Sequence, residues 1–466
     1  MPEPSTSGDR SRVVNAEPLS HQSLPIFRTV GEPAKSGLER ALSLFADVRA
    51  GEGLSALLLS LNVFLLLAAY YLLRPARQAL ILTEGGAVAA SYSSAAQALL
   101  LVAVVPFYGW LASRVPRMRL ITITAVFFAM NLVVFYLLGT AGVREGIAFY
   151  VWLGIFNVFV ISQFWAFAND IYTEAQGQRL FPLIGVGASL GAWVGAATVV
   201  PLVQRLRFTP YTLMFCAAAV LLAALVVTVM VNRRETARSS PEAAQVEQAP
   251  LGRQGGFELI FADRYLTWIA VLTILLNIVN TTGEFLLNRM VETQALARFG
   301  TDPSLLAESQ RFVGAFFGSF NANVSLLGFL LQLLVTSRVM RYMGVRGALF
   351  ILPIIALVNY SVIAVVPLLA IVRVGKILEN STDYSIQNTI RQALYLPLSR
   401  EAKYKAKAAI DTFFTRSGDV VSAGFVAAGT AVGVGAGGFA WLNVALTVAW
   451  LGVAGKIARA HRQKAA

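Results

Sequence analysis

Long apolar runs recur along the chain, broken by short polar segments. A run of 18 or more apolar residues reads as a helix long enough to cross hydrocarbon. Lipid gives the backbone no hydrogen-bond partner, so spanning segments are helices or closed barrels. Barrel strands alternate polar and apolar positions, and these unbroken runs do not. The pattern predicts an all-α integral membrane protein with twelve transmembrane helices, near 53–81, 88–113, 119–139, 146–172, 180–204, 210–232, 265–294, 311–337, 344–366, 368–395, 408–431 and 436–458. The polar stretch RRETARSSPEAAQVEQAPLGRQGG separates two groups of six. The expected organisation is a disordered cytoplasmic tail over 1–45, a six-helix half over 46–232, a cytoplasmic linker over 233–256 and a second six-helix half over 257–466. Within the last, FELIFADRYL, from Phe257, reads as an interfacial helix leading into the seventh span.

Composition agrees: 56% of residues are hydrophobic and 14% charged, against about 25% charged in soluble domains. The net charge of +13 does not point to nucleic acid. Its basic residues cluster in short loops, the mark of a cytoplasmic face. Arg114, Arg117 and Arg119 follow the second span, Arg338, Arg341 and Arg346 the eighth, and Arg400, Lys403, Lys405 and Lys407 the tenth. The loops TEGGAV and GVGAGG carry none, so both termini are expected to be cytoplasmic. The single cysteine, Cys216, falls in a predicted span, and the two histidines, His21 and His461, fall in the tails. That argues against zinc chemistry and against histidine catalysis in the membrane. No phosphate-binding Gly-x-x-x-x-Gly-Lys-Ser/Thr loop occurs, so ATP hydrolysis by the chain is not expected. No cofactor is implied, and nothing resembles a nucleophile paired with a base.

The halves echo each other. ASRVPR, from Ala112, and TSRVMR, from Thr336, each follow the second span of their half, 224 residues apart. Glu174-Ala175 and Glu401-Ala402 each follow the fourth, 227 apart. Duplicated halves of this kind build transporters whose substrate site lies between them near the midplane.

An ionisable residue inside a span costs roughly 2.5–3.5 kcal/mol on insertion scales, so each is a candidate site. YYLLRPARQAL places Arg74 and Arg77 three apart on one face of the first span, beside Gln78. Either arginine could snorkel to the interface, but apolar Ala79 to Leu82 continue beyond Arg77, which favours a cavity-facing position. In the tenth span Lys376, Glu379, Asn380, Asp383, Gln387 and Arg391 trace one polar stripe. The stripe reads either as an internal ladder, with Lys376 on Glu379 or Asn380 and Asp383 on Gln387, or as a substrate face. Arg391 has no acid at helical spacing and is the better anion ligand. Asn280, Glu284 and Asn288 repeat every four residues in the seventh span. Trp165, Asn169 and Asp170 close the fourth, where the tryptophan could stack on a base or anchor at the interface. Gly187, Gly191 and Gly195, and later Gly429, Gly433 and Gly437, also repeat at four and read as close helix packing.

Three passages carry a resemblance: LLRPARQAL, FWAFANDIYTEAQGQRLFPLIGVGASLGA and ALYLPLSREAKYKAKAAIDTFFTRSGD. Together with the helix count, they make residues 50–460 resemble the ATP/ADP translocase family of plastids and intracellular bacteria, in its broader bacterial branch. The resemblance implies a major-facilitator-like fold, nucleotide exchange and a bacterial inner membrane. Two critical lysines of the family fall on Arg77 and Arg391, which keep the charge and add a bidentate fork. Its two critical glutamates fall near Leu153 and on Asn280, with Glu284 one turn later. The expected partner is a small anion, a nucleotide or related organic phosphate, bound in a lipid bilayer by a functional monomer. The substrate-binding candidates are Arg74, Arg77, Trp165, Asn169, Asp170, Asn280, Glu284, Lys376, Asp383 and Arg391. Competing readings are an exporter or symporter of another solute, proton-coupled through Glu284 or Asp383, and a non-transporting receptor or anchor.

Overall fold

The computed structural model describes residues 36–43, 48–112, 114–172, 174–236, 256–395, 397–399, 402 and 406–465. Most of the expected tail and linker therefore lies outside the described residues. The described residues hold helices and no strand. The long helices are α1 (Gly53–Glu84), α2 (Gly86–Ala112), α3 (Arg117–Thr140), α4 (Gly146–Ile171), α5 (Glu174–Gln204), α6 (Pro210–Thr236), α7 (Arg264–Phe299), α8 (Leu306–Leu330), α9 (Ile351–Val365), α10 (Leu369–Thr382), α11 (Thr415–Ala431) and α12 (Ala436–Ala465). The fold of the described residues is all-α.

Nine helical stretches among the described residues, those of α1 to α8 and α12, are long and apolar enough to cross a membrane. The other three expected spans fall short for local reasons. Helix α9 has only 15 residues. Helix α10 gives way to a π-helical turn at Asp383–Gln387 within its charged stripe. Helix α11 follows another π turn, Ile410–Phe414. A third, Leu331–Thr336, extends α8. Such turns are rare and tend to mark functional positions.

Large apolar side chains such as Phe127, Met130, Leu137, Phe215, Val226, Val358 and Val448 point outward, as a lipid-facing surface requires. Inside the first half, α1 lies against α5 and α6. The glycine stripe explains the closeness of the first contact. A Cβ on Gly187, Gly191 or Gly195 would lie 2.3–2.5 Å from the backbone carbonyl oxygens of Ser60, Phe64 or Ala68. Only glycine lets these two backbones meet. The later trio divides: Gly429 accommodates the ring of Phe439, whereas Gly433 takes a positive φ of 76° in the turn after α11. That second repeat is thus not one packing stripe.

The halves meet where α5 packs on α8, α2 on α11 and α1 on α8. Three polar bridges join them toward the end where α1 finishes and α2 and α4 begin. Gln78 donates to Asn288 at 3.1 Å. The backbone N–H of Ala87 donates to Glu292 at 2.9 Å. Arg207 pairs with Glu308 at 3.1 Å. We call this the sealed end.

Candidate functional site

A cavity of about 200 Å³ lies between the halves. Its walls come from α1 (Tyr70, Arg74, Arg77), α2 (Ala90, Ser91, Ser94, Gln97), α4 (Tyr150, Gly154, Asn157), α7 (Asn277, Asn280, Thr281, Glu284, Phe285, Asn288) and α11 (Arg416, Asp419). The lining holds three guanidinium groups and two carboxylates.

Each cation has a distinct environment. Arg74 reaches Glu284 across the half interface at 3.6 Å. It does not snorkel; its side chain is only 13% exposed. Arg416 pairs with Asp419 at 3.3 Å, one turn along α11. Asp419 also accepts from Asn277 at 3.0 Å and Thr281 at 2.9 Å, so α7 holds that carboxylate in place. Arg77 differs. Its guanidinium carbon lies 4.1 Å from the ring centroid of Tyr150, a favourable cation–π contact. No carboxylate among the described residues lies within ion-pair distance, and its Nε has no acceptor. Pro75, between the two arginines, removes the N–H that would bond the carbonyl of Tyr71 and locally loosens α1.

Glycine also shapes the wall. A Cβ on Gly154 would lie 1.9 Å from the Gln97 amide, so the bare residue admits that side chain.

Of the ten candidates from sequence, Arg74, Arg77, Asn280 and Glu284 line this cavity. Lys376 is fully buried beside it rather than in it. It donates to Glu379 at 3.0 Å and to the Asn280 side chain at 2.8 Å. Tyr360 donates to the same carboxylate at 3.1 Å. The internal ladder is thus formed at Lys376 and Glu379, and it positions a cavity residue. Asp383 and Arg391 are not in the lining. They lie within electrostatic reach of each other, and Arg391 sits beyond the π turn, away from the sealed end. Asp170 pairs with Arg117 at 3.1 Å on an exposed edge. Trp165 packs edge-on against Phe181 at 5.5 Å. The Asn169 side chain lies outside the described residues. Leu153, near one family glutamate position, is wholly buried in the core of the first half.

Sequence reasoning passed over Arg416 and Asp419, although both sit in TFFTRSGD three residues apart. It also passed over Ser91, Ser94 and Gln97, whose three-residue spacing marks a polar face in an otherwise apolar span.

The family model described as "TLC ATP/ADP transporter" matches residues 147–454. Helices α1, α2 and α3 lie before that stretch, so the match is shorter than the resemblance read from the motifs. "ADP,ATP carrier protein 1" of Chlamydia muridarum is 23% identical over 312 residues, covering 58% of this chain and 56% of that protein. "ADP,ATP carrier protein 1, chloroplastic" of Arabidopsis thaliana is 25% identical over 299 residues, covering 56% of this chain and 45% of that one. The chain thus spans about half the length of the curated relatives it matches. Among solved structures, the nucleoside transporter NupG superposes with a TM-score of 0.59 at 15% identity, covering 86% of this chain and 98% of that one. A POT family transporter in complex with 5-aminolevulinic acid gives 0.62 at 15% identity, covering 86% and 96%. At such identities these two show the fold alone. The family match covers well over half of the chain, which is therefore an integral membrane protein belonging to the TLC ATP/ADP transporter family.

Proposed function

We propose that the chain exchanges nucleotides, of the ATP/ADP type or closely related organic phosphates, by alternating access. The observation that carries this reading is Arg77: a buried guanidinium in the inter-half cavity with no carboxylate among the described residues at ion-pair distance. A phosphate supplies the missing counter-charge through charge-assisted hydrogen bonds. Arg416 is the guanidinium that the second half adds to the same lining, and Arg74 lines it too; Asn157, Asn277 and Asn280 offer amides to polar groups of the substrate. Arg391 lies further from the sealed end and meets the anion on its way in.

Exchange follows from the same charge. An empty cavity holds an uncompensated cation in a low dielectric, which opposes reorientation. A bound anion cancels it and lets the halves rock. At about 200 Å³ the cavity is smaller than the roughly 300–1,000 Å³ typical of organic-ligand sites. Admitting a whole nucleotide thus requires the halves to part away from the sealed end. The basic loops support cytoplasmic termini, a bacterial inner membrane is the expected location, and the internal duplication supports a functional monomer.

The test is counterflow of labelled ADP into proteoliposomes preloaded with ATP. Saturable uptake that needs internal nucleotide and collapses in Arg77→Ala is the expected result. Undiminished flux in an Arg77→Ala, Arg416→Ala double variant ends the proposal.

A further inference from the structure

At the sealed end, away from the central cavity, a second group of charges is left unexplained by anion binding. Glu145 precedes the first turn of α4 and is only 5% exposed. Both of its carboxylate oxygens are buried without a hydrogen-bond partner. The charge that acts on it is another acid, Glu84, the last residue of α1. Glu84 is committed elsewhere: it accepts from the Gly146 backbone at 2.7 Å and so caps α4. The exposed Arg144, in the same loop as Glu145, acts on Glu84. From α6, the Tyr211 hydroxyl lies within electrostatic reach of both acids and bonds Gln310 of α8, which belongs to the other half. The group therefore sits against the seam joining the halves.

A buried carboxylate beside a second one, with no donor of its own, is costly as an anion. It needs either a cation or a proton. A metal ion of the calcium type takes 6–8 oxygen ligands, and no cluster of three or more candidate ligands exists among the described residues. A proton needs only Glu145 itself.

We propose that Glu145, sensitised by Glu84, is a proton-binding site that is occupied while the sealed end is closed and emptied when that end opens to water. The step is simple: the carboxylate takes one proton from the adjoining solution to become the neutral acid, and returns it on hydration. Burial first, and the Glu84 charge second, push the Glu145 carboxyl up to about 7, where its occupancy responds to ordinary changes of pH. The site is distinct from Glu284, which is paired with Arg74. Its consequence for flux rests on the transport reading above, but the proton site itself does not.

Two measurements on the purified full chain decide the matter without any substrate. In infrared difference spectra recorded against pH, a protonated-carboxyl band should titrate near neutrality, vanish in Glu145→Gln and shift to lower pH in Glu84→Gln. In thermal unfolding, the folded state holds this proton more tightly than an ordinary glutamate does. Stability should therefore be greatest in acid and fall as pH rises through about 7. Glu145→Gln should lose that slope while staying folded. An unchanged band and an unchanged slope in Glu145→Gln overturn the proposal, as does a Glu84→Gln variant that leaves the midpoint where it was. In proteoliposomes, flux should respond to pH at the sealed face in wild type and not in Glu145→Gln. Absence of all nucleotide flux would count against the exchange reading while the spectra still rule on the proton.

Discussion

The two halves handle buried charge differently. In the first half, α1 presents Arg77 to the cavity with an aromatic ring and no acid. In the second half two cations at or beside the cavity are already matched. Lys376 has Glu379, Arg416 has Asp419, and Tyr360 and Asn359 add donors to the Glu379 carboxylate at 3.1 and 3.4 Å. The π turns Leu331–Thr336, Asp383–Gln387 and Ile410–Phe414 also lie in the second half. The comparison teaches that a charge inside a membrane protein need not be a binding group. What marks one for binding is a missing partner, not the charge itself.

That contrast can be attacked in order of expected effect. Lys376→Met leaves the Glu379 carboxylate buried without its counter-charge, which should cost about 3–5 kcal/mol of stability. A Lys376→Met, Glu379→Leu double variant should recover most of it, and thermal unfolding in detergent reads both. If the single variant instead folded normally and lost only transport, Lys376 would be a substrate ligand and the contrast would fail. Next comes Arg77→Ala. A hydrogen bond to a charged group is worth roughly 1.5–3 kcal/mol, so nucleotide affinity should drop roughly 10- to 100-fold with little change in unfolding temperature. Arg77→Lys should retain an intermediate affinity. Gly191→Ala forces α1 off α5, since its Cβ would lie 2.3 Å from the Phe64 carbonyl oxygen. Overpacking of this kind costs about 1–3 kcal/mol; transport should fall with stability, because α1 carries the arginines. The smallest effect is expected from Asp170→Asn at the exposed pair with Arg117, under about 1 kcal/mol and weaker still in high salt.

Much of the fold was legible because hydrocarbon enforces it. Apolar runs placed the helices α1 to α8 and α12. What the runs could not convey was continuity. No period in the sequence announces the π turns in and around α8, α10 and α11. The site was half legible for a related reason. Arg74, Arg77, Asn280 and Glu284 lie on helices whose polar face is narrow, so facing inward left them one destination. The α10 stripe is wide enough to face two places, and the structure turns Lys376 and Glu379 into the second half rather than the cavity. Arg416 and Asp419 escaped notice because an acid and a base one turn apart look self-satisfied, although together they form part of the cavity wall.

Backbone contact between α1 and α5 carries one last consequence. Three glycines seat the α1 backbone directly on α5 at Ser60, Phe64 and Ala68, so the two helices are packed to move as one body. The arginines are therefore fixed to the frame of their half like teeth set in a jaw. Whatever motion carries cargo across must swing that whole jaw, and the geometry between Arg74 and Arg77 should be the same at both ends of the stroke.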